Sequence, residues 1–581
     1  MRKTKIVCTL GPATDGEGIV REMMLAGMNV ARFNFSHGSH EEHKKRLDTV
    51  KALRTELKRP VAAMLDTKGP EIRLRTFEKG SVLLKTGQEF TLTTEEISGD
   101  EKRCTISYAE LPQDVRAGDT ILLDDGLVRL TVLETTAATI RCRVENDGVM
   151  KNRKGVNVPG VRLSMPYMSA QDRDDILFGI EQDFDYVAAS FVRSAADVRE
   201  LRRILTEHGS HIRIIAKIEN QEGVTNLPEI LSAADGIMVA RGDMGVEIDF
   251  TEIPVIQKNM IAQCVAAGKP VITATQMLDS MIDHPRPTRA EITDVANAIY
   301  DGTSAIMLSG ETAAGKYPVE AVKTMDAIAR RTEADINYPK RMDRTAMGSG
   351  KLSIAAATAH AACTTAQDVR ADAILTVSHS GATARLVSRF RPSTPVIACL
   401  LDENVQRQMA LYWGVTPILM PVVDDTDALV EQAVHAAEDA GLVCPGDLVV
   451  LTAGVPVGIS GTTNMIKVHM VGGALLNGVG VGTANASGKL CICRTPEELA
   501  EKFRDGDVLV VPYTSNEMMS YVRRASAVIS EESGDDSHAA TLGLALNKAV
   551  IVGAANATRA LKDGMYVSVD CAHGVVQLLP Q

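Results

Sequence analysis

The chain has 581 residues, which at about 150 residues per domain predicts three to five domains. Its 62 Lys and Arg residues against 74 Asp and Glu residues give a net charge of -12, which argues against a nucleic-acid-binding protein, because such proteins carry a basic surplus. Apolar residues make up 45% and charged residues 23%, a globular balance that excludes wholesale disorder.

Eight short apolar runs rich in β-branched residues alternate with helix-like segments. The runs are KIVCTL (5–10), MNVARFNF (28–35), PVAAMLD (60–66), DYVAASF (185–191), RIIAKIE (213–219), GIMVAR (236–241), PVITATQ (270–276) and AIMLSG (305–310). Six of the seven gaps have the length of one helix and two loops, so we predict an α/β fold with a TIM (β/α)8 barrel. A doubly wound open sheet is the alternative, although no GxGxxG motif follows the first run.

The long gap after the third run has a different character. Within 71–165, the stretches GSVLLKTGQEFTLTTE and GDTILLDDGLVRLTVLETTAATIRCRVEND alternate polar and apolar residues, which is typical of antiparallel strands. We therefore predict a β domain inserted after the third barrel strand. Such an insert leaves from the C-terminal mouth of the barrel, where the βα loops carry function.

Two further α/β patterns follow the barrel. A polar, basic linker (KRMDRTAMGSGK) follows Pro339, and the runs ADAILTVS, PVIACL, TPILMP and DLVVLTAG predict a second α/β domain. A Gly-rich stretch at 472–488 is predicted to be a hinge before a final small β/α unit. The predicted domains are 1–70 with 166–342 (barrel), 71–165 (inserted β domain), 343–471 (second α/β domain) and 472–581 (small β/α unit).

Polar side chains cluster at the ends of five predicted barrel strands. They are Arg32, Asn34, Ser36 and His37; Asp66, Thr67, Lys68, Glu71 and Arg73; Lys217 and Glu219; Asp243; and Thr275. Strand ends at the C-terminal face of a barrel point into one shared site. Glu219 and Asp243 suit a hard divalent cation such as Mg²⁺, and Lys217 lies on the same strand face as Glu219. Structural ion pairs are the alternative for any one residue, but five converging strand ends favour a site.

These motifs resemble those of pyruvate kinases. IVCTLGPAT, NFSHG, LDTKGPEIR, KGVNVPG, AKIENQEG, ARGDMGVE, ATQML and HPRPTRAEITDVANAIYDGTSAIMLSGETAAGKYP occur in the family's order within 1–470. The tail, 472–581, is similar to the phosphoenolpyruvate-utilising mobile domain that some bacterial pyruvate kinases carry. The resemblance implies transfer of the phosphoryl group of phosphoenolpyruvate to ADP, giving pyruvate and ATP in the last step of glycolysis.

The resemblance also implies catalytic and substrate-binding residues. Lys217 and Arg32 would neutralise charge on the phosphoryl group. The main-chain N–H groups of Gly242 and Asp243 would hold the substrate carboxylate, as helix N-termini hold anions. Thr275 would lie near the enolate carbon and relay a proton from water, since a Thr hydroxyl alone is a poor acid.

Two kinds of metal ion are implied. Glu219 and Asp243 would bind Mg²⁺ (or Mn²⁺), whereas a K⁺ site would be formed by Asn34, Ser36, Asp66 and Thr67. In the family, Glu at the position after TKGP accompanies a need for K⁺ and Lys does not, so Glu71 predicts K⁺ dependence. The alternative is that Glu71 merely pairs with Arg73 or Lys68.

The implied nucleotide-binding residues are Asn34, His37, Arg73 and Lys154. By the same resemblance, the inserted domain 71–165 matches the family's β-barrel lid domain, which would close over the nucleotide and exclude water from the reaction. Asp124 and Asp125 are interpreted as a turn of the lid rather than as site residues.

A phosphorylated allosteric effector is also expected. SHSGATARLVSRFRP (378–392) resembles the family's phosphate-binding loop, in which Ser378, Ser380, Gly381 and Thr383 would form an anion nest. An ordinary capped helix start is the alternative.

The family is usually a homotetramer, and HPRPTRAE (284–291) resembles its barrel–barrel interface. Ten scattered cysteines and no apolar run of membrane-spanning length predict a cytoplasmic protein that binds neither membranes nor nucleic acid.

The tail departs from the pattern of phosphohistidine-carrying domains, which read approximately GGxTSHAA. Here Asp535 and Asp536 precede Ser537 and His538, and adjacent carboxylates would repel a phosphohistidine. We therefore interpret His538 as a vestige. A phosphohistidine phosphotransferase, such as a phosphoenolpyruvate synthase or dikinase, is the alternative enzyme, but no nucleotide-grasp segment is visible. A degenerate pyruvate kinase acting as a metabolite sensor is the non-enzyme alternative.

Overall fold

The computed structural model describes residues 2–347, 352–423, 426–444, 447–455, 462–472 and 474–579. The chain forms two compact units, Met1–His360 with Ser378–Leu419, and Ala361–Val377 with Met420–Gln581. Within the described ranges, no helix combines the length and the apolar character that a bilayer crossing requires.

The eight predicted runs form a closed parallel barrel in the first unit. Its strands, in chain order, are Lys5–Leu10, Val30–Asn34, Ala62–Asp66, Tyr186–Ala189, Arg213–Ile218, Gly236–Ala240, Val271–Ala274 and Ala305–Leu308. The eighth strand pairs with the first, with Ala305 opposite Lys5, which confirms the TIM barrel over the open sheet. One buried residue set, including Val7, Met64 and Ile215, forms a core along the barrel strands. Alternate residues such as Ile6 and Cys8 pack in the core that also contains the surrounding helices.

Helices connect and surround these strands. Those of the barrel region are Ile19–Ala26, His40–Leu57, Ala170–Glu181, Ala195–Glu207, Gln221–Thr225, Leu227–Ala233, Arg241–Glu247, Ile253–Ala267, Arg289–Asp301, Gly310–Ala313, Pro318–Glu333 and Tyr338–Met347, with 3-10 turns at Pro12–Thr14 and Asp279–Ile282. Several begin at capping boxes, in which Ser39 pairs with Glu42 and Thr288 with Glu291. The predicted linker after Pro339 is largely wrong, because the helix Tyr338–Met347 occupies most of it; residues 348–351 lie outside the described part.

The insert after the third barrel strand is a β domain, as predicted. Its strands are Ile72–Arg73, Ser81–Leu84, Glu89–Thr93, Arg103–Thr105, Thr120–Leu123, Val128–Thr135, Thr139–Val144, Gly148–Lys151 and Gly155–Asn157, with one short helix, Leu111–Asp114. Seven of the strands form a mainly antiparallel sheet, and two form a separate pair. Apolar residues from alternate positions, such as Leu130 and Val132, build a core of the lid's own.

The second α/β pattern also forms as predicted. Its elements are Ile354–Asp368, Ala373–Val377, Ala382–Arg389, Val396–Leu400, Glu403–Met409, Val415–Leu419, Thr426–Asp439, Leu448–Gly454 and Thr463–Met470. In the first unit, Val396–Leu400 pairs in parallel with Val415–Leu419. In the second unit, Leu448–Gly454 pairs in parallel with Ala373–Val377 and antiparallel with Thr463–Met470.

The tail folds around one eight-stranded mixed sheet. Its elements are Ala474–Asn477, Val479–Val481, Asn485–Ile492, Pro496–Lys502, Val508–Val511, Asn516–Met518, Met519–Arg524, Ala527–Ser530, His538–Leu546, Ala549–Val552, Ala557–Ala560, Tyr566–Asp570 and Val575–Leu578. The predicted hinge at 472–488 is wrong, because three of these strands begin within it. Its glycines permit close packing: a Cβ on Gly480 would lie 1.8 Å from the carbonyl oxygen of Cys571, and one on Gly478 would lie 2.4 Å from Ile551 Cγ2.

Candidate active site

Four charged side chains are buried together where the second, third and fifth barrel strands end. Arg32 Nε donates to Asp66 Oδ2 at 2.6 Å, and Lys217 Nζ donates to Asp66 Oδ1 at 3.1 Å. Lys217 Nζ also lies 3.0 Å from Glu219 Oε1. Asp66 and Glu219 are each only 1% exposed. The fold therefore brings these four predicted residues into one network that is sheltered from water.

The charges of this network depend on one another. Burial opposes the charge of Lys217, but the neighbouring carboxylates of Asp66 and Glu219 raise the pKa of Lys217 above its ordinary value. Burial would raise the pKa of Asp66, but the cations of Arg32 and Lys217 hold it below its ordinary value. For Glu219, burial raises the pKa to about 7, with Asp243 adding to the shift and Lys217 opposing it. Glu219 is thus a carboxylate whose charge would be stabilised by one more cation.

Asp243 lies just after the C-terminal end of the sixth barrel strand. That strand ends at Ala240, and the helix Arg241–Glu247 begins at once, placing Gly242 and Asp243 in its first turn. Gly242 N–H donates to Thr275 Oγ1 at 2.8 Å, so this predicted carboxylate-binding amide already contacts the predicted proton-relay residue. Thr275 Oγ1 in turn donates to the carbonyl oxygen of Ala274 at 2.6 Å.

Thr275 has a strained backbone. Its φ is 65° and that of Gln276 is 54°, in the left-handed region that β-branched residues avoid. Arg241 Nη2 donates to the carbonyl oxygen of Thr275 at 2.7 Å, and Arg241 Nη1 lies 2.7 Å from Asp294 Oδ2. This anchored arginine holds the strained turn in place and fixes the position of the Thr275 hydroxyl.

The predicted K⁺ ligands lie at the ends of the second and third strands. Asn34 is opposite Asp66 in the strand register, and Asn34 Oδ1 accepts a hydrogen bond from Ser36 N–H at 3.2 Å. Thr67 Oγ1 accepts from Ser190 N–H at 3.1 Å. Their oxygen atoms are the donor type that a hard monovalent cation prefers.

The predicted nucleotide-binding residues are divided between barrel and lid. Arg73 Nε donates to Glu71 Oε2 at 2.7 Å, so Glu71 does pair with Arg73. Lys154 Nζ lies 2.8 Å from Asp124 Oδ1. His37 is exposed, and in the described structure its imidazole forms no hydrogen bond or ion pair with Arg73 or Lys154. Within the described residues, no hydrogen bond or ion pair joins these three side chains, although Arg73 is opposite Gly155, the neighbour of Lys154, in two paired lid strands.

Three site features escaped the sequence interpretation. Ser190 Oγ accepts from Lys217 Nζ at 2.8 Å and donates to Asp66 Oδ1 at 3.3 Å, linking the two. Ser190 is the last residue but one of the run DYVAASF, so the strand-end criterion that selected the other residues would have found it. Asp124 lies in a turn, as predicted, but it also pairs with Lys154. Because this contact joins residues from separate parts of the lid sequence, no local sequence pattern indicates it.

The third feature is a contact between lid and barrel. Asn157 Nδ2, at the end of the last lid strand, donates to Glu247 Oε1 at 2.9 Å. Burial raises the pKa of Glu247, while the Asn157 hydrogen bond favours its charged form. Both residues line a cleft of about 610 Å³ that reaches Asp243 and Glu71. Glu247 follows Asp243 by about one helical turn, so the contact ties the lid to the helix that carries Asp243.

The predicted effector loop opens the helix Ala382–Arg389. Gly381 is its N-cap with a φ of 71°, and this residue has no side chain with which to cap the helix. A Cβ on Gly381 would lie 2.8 Å from Met409 Sδ, so the position requires glycine. The carbonyl oxygen of Ser380 accepts from Arg385 Nη1 at 2.7 Å and from Arg213 Nη2 at 3.4 Å. Ser378 and Thr383 flank this turn.

In the tail, His538 begins the helix His538–Leu546. Its Nδ1 lies 2.8 Å from Thr514 Oγ1, and its Nε2 lies 3.2 Å from Asn516 Oδ1. Both ring nitrogens therefore face neutral side chains. Asp535 and Asp536 are exposed immediately before the helix.

Comparison with known proteins identifies the family. The profile described as the pyruvate kinase barrel domain matches residues 1–322, and that of the pyruvate kinase alpha/beta domain matches 356–469. The chain belongs to the pyruvate kinase family. The mobile domain of phosphoenolpyruvate-utilising enzymes matches residues 503–574, in agreement with the resemblance of the tail.

Two relatives that are named pyruvate kinase align with nearly the whole chain. A pyruvate kinase of Geobacillus stearothermophilus is 50% identical over 578 residues, which are 99% of this chain and 98% of that protein. One from Bacillus licheniformis is 48% identical, over 99% of both chains. The crystal structure of a pyruvate kinase from Cryptosporidium parvum superposes with a TM-score of 0.77 at 40% identity, covering 81% of this chain and 96% of that one.

Proposed function

We propose that this enzyme transfers the phosphoryl group of phosphoenolpyruvate to ADP, producing pyruvate and ATP. The observation that carries the proposal is the buried Arg32–Asp66–Lys217–Glu219 network at the barrel mouth. Two fixed cations inside a water-poor site stabilise negative charge that develops on a phosphoryl group and on an enolate. The sensor alternative has no need of this arrangement, since binding alone does not require charges poised for a transition state.

Within this reaction, each residue at the mouth has a distinct task. Arg32 contacts the phosphoryl group, while Lys217 neutralises the phosphoryl in flight and then the enolate oxygen. The amides of Gly242 and Asp243 hold the substrate carboxylate, which requires Gly242 to exchange its bond with Thr275 for one with substrate. The Thr275 hydroxyl then becomes available to pass a proton from water to the enolate carbon.

We propose Glu219 and Asp243 as the ligands of Mg²⁺ or Mn²⁺. The effect of Asp243 on the pKa of Glu219 supports the pairing, because two neighbouring carboxylates are stabilised by a shared divalent cation. Within the described ranges, no three Asp, Glu, His or Cys side chains surround a metal position by themselves. Substrate oxygens and water would therefore complete the shell. A bound cation supplies Lewis-acid polarisation of those oxygens.

We assign K⁺ to the oxygens of Asn34, Ser36, Asp66 and Thr67. The Glu71–Arg73 pair supports a need for this ion. Because Glu71 neutralises Arg73, the nucleotide side of the site lacks one effective positive charge that the anionic substrates require. K⁺ would restore it.

Asn34, His37, Arg73 and Lys154 would bind the nucleotide, with the lid bringing Arg73 and Lys154 toward its phosphates. Lys154 would leave Asp124 for the phosphates. The contact between Asn157 and Glu247 supports a lid that closes directly onto the helix bearing Asp243. Closure would exclude water and direct the phosphoryl group to ADP.

We further propose activation by a phosphorylated metabolite at Ser378, Ser380, Gly381 and Thr383. The helix that begins after Gly381, whose N-cap residue supplies no side-chain hydrogen bond, supports an anion site. Arg213 provides a route to the active site, since it joins Ser380 at the start of the fifth strand while Lys217 lies near that strand's end. The loop GVPVGISGTTNMIKV (454–468), which would close the same site, includes residues 456–461, and these lie outside the described residues.

A homotetramer in the cytoplasm, with residues 284–291 at a barrel–barrel interface, remains our proposal for the assembled enzyme. The domain limits 1–70 with 166–342, 71–165, 343–471 and 472–581 are likewise proposed.

Pyruvate formation, coupled to lactate dehydrogenase, tests the activity. Full chain with phosphoenolpyruvate, ADP, MgCl2 and KCl should produce pyruvate and ATP in equal amounts, and chelation of the divalent cation should stop the reaction. Pyruvate formation that required AMP and phosphate instead of ADP would indicate the phosphohistidine alternative. Binding of phosphoenolpyruvate without turnover would indicate the sensor.

A further inference from the structure

A cavity of about 350 Å³ lies in the first unit, beside residues that precede the eighth barrel strand. It therefore opens near the N-terminal ends of the strands, at the end of the barrel opposite the proposed active site. Ala262 and Val265 form an apolar wall on the helix Ile253–Ala267. Arg341, on the helix Tyr338–Met347, and Arg391 bring two guanidinium groups to the same cavity.

Arg391 is buried without a carboxylate partner. It is 3% exposed, and its Nη2 donates to the carbonyl oxygen of Gly302 at 3.1 Å and to Ser304 Oγ at 3.0 Å. Its Nε is buried and has no hydrogen-bond partner. Among the described residues, no Asp or Glu forms an ion pair with it. The guanidinium carbon lies 4.8 Å from the ring centroid of Trp413.

The surroundings make this positive charge costly. Burial, together with the smaller effect of the charge of Arg341, lowers the pKa of Arg391 to about 9. Asp301 also lines the cavity, but it is engaged by Lys258 and by Gln257. A buried cation without an opposite charge is strongly unfavourable, and a bound anion would offset that cost.

We propose that this cavity binds a small organic anion. Its carboxylate or phosphate would be held by Arg391 and Arg341, whose planar forks suit such groups, and its apolar body would lie against Ala262 and Val265. The site is distinct from the proposed effector loop and goes beyond the proposed reaction. Arg341 already donates to the carbonyl oxygens of Ile299 and Tyr300, which positions it at the cavity.

Trp413 provides a direct reporter. It is the chain's single tryptophan, is 2% exposed, and contacts Arg391. The full chain would be titrated with sodium butyrate at constant ionic strength, with chloride as the balancing ion and butyramide as a neutral analogue. We expect a saturable change in tryptophan fluorescence with butyrate and none with butyramide. A flat butyrate titration, or an equal response to butyramide, would overturn the proposal.

Variants locate the site. Arg341→Gln should weaken butyrate binding about ten-fold or more, the loss expected for one charge-assisted contact. Arg203→Gln, which removes an exposed arginine from the helix Ala195–Glu207, should leave the affinity unchanged. Removing the charge of Arg391 would itself alter the environment of Trp413, so position 391 is tested with Arg391→Lys. This variant should still bind butyrate, but more weakly than the wild type. Unchanged affinity in Arg341→Gln would refute the assignment, as would loss of the response in Thr383→Glu, which would place binding at the effector loop.

Discussion

The barrel mouth and the segment around His538 both carry motifs of enzymes that use phosphoenolpyruvate, but they distribute charge differently. At the mouth, the cations of Arg32 and Lys217 are buried against Asp66 and Glu219. Around His538, the nearest polar partners are the uncharged Thr514 and Asn516. In the described structure, no Lys or Arg forms a hydrogen bond or ion pair with the His538 ring.

This difference shows that a sequence motif does not by itself provide the chemistry for phosphoryl transfer. Transfer of a phosphoryl group requires positive charge that is already in place when negative charge develops. The mouth holds such charge by burial and mutual pairing. The tail keeps a histidine at a helix start but offers no cation beside it and two exposed carboxylates just before it. We therefore expect substitutions at the mouth to abolish turnover and those at His538 to leave it intact.

The largest effect is expected from Lys217→Met. Loss of the cation that neutralises the phosphoryl group and enolate should lower kcat on the order of 10³-fold or more, with little change in substrate affinity. Steady-state pyruvate formation gives kcat and KM separately, and a thermal melt checks that the variant folds.

Lys5→Met is the matched control. Lys5 is also a buried barrel lysine, but it begins its strand, and its Nζ donates to the carbonyl oxygen of Val415 at 2.6 Å. Its removal should leave the kcat of the folded protein within a few-fold. Near wild-type kcat in Lys217→Met would contradict the role assigned to that residue.

A smaller effect concerns K⁺. In tetramethylammonium buffer without K⁺, wild-type turnover should fall about ten-fold or more, and added KCl should restore it. Glu71→Lys should show appreciable turnover without K⁺, because it releases Arg73 and adds a cation. Glu71→Gln separates these causes, since it releases Arg73 alone. Full wild-type activity without K⁺ would refute the assignment.

A smaller effect again is expected from the coupling that Arg213 provides between the effector loop and the active site. Titration of AMP, ribose 5-phosphate, glucose 6-phosphate and fructose 1,6-bisphosphate should reveal at least one that lowers the KM for phosphoenolpyruvate. Thr383→Glu should abolish this response by placing a carboxylate in the anion site. Arg213→Met should reduce the shift in KM about five-fold, the scale of about 1 kcal/mol of coupling.

The control for Arg213 is Arg202→Met, which removes an arginine paired with Asp235 at 2.6 Å. It should retain the full response to the activator. If Arg213→Met responded as fully as Arg202→Met, the contact between Arg213 and Ser380 would not transmit activation. No response of the wild type to any of the four compounds would mean that the loop is only a helix start.

The sequence predicted what depends on local pattern. The barrel strands were recognisable because their apolar runs repeat at the spacing of β/α units, and Lys217 and Glu219 were recognisable because they follow such a run. Gly478 and Gly480 were misinterpreted because glycine occurs both in hinges and where strands pack closely, and only the positions of Ile551 and Cys571 distinguish the two cases. Asp124 and Asn157 were missed because their partners are distant in sequence.

The smallest effect is expected from His538→Ala. Among the described residues, no Lys or Arg bonds to the His538 imidazole, and both ring nitrogens face neutral partners, so this histidine should take no part in a chemical step. Turnover of His538→Ala should remain within about two-fold of wild type. Incubation with radiolabelled phosphoenolpyruvate and analysis for acid-labile label would examine phosphorylation directly. His573→Ala serves as the control, because it removes another tail histidine, one that pairs with Asp570. Label that persists in His573→Ala but disappears in His538→Ala would show that His538 carries phosphate, and the contrast between barrel mouth and tail would then fail.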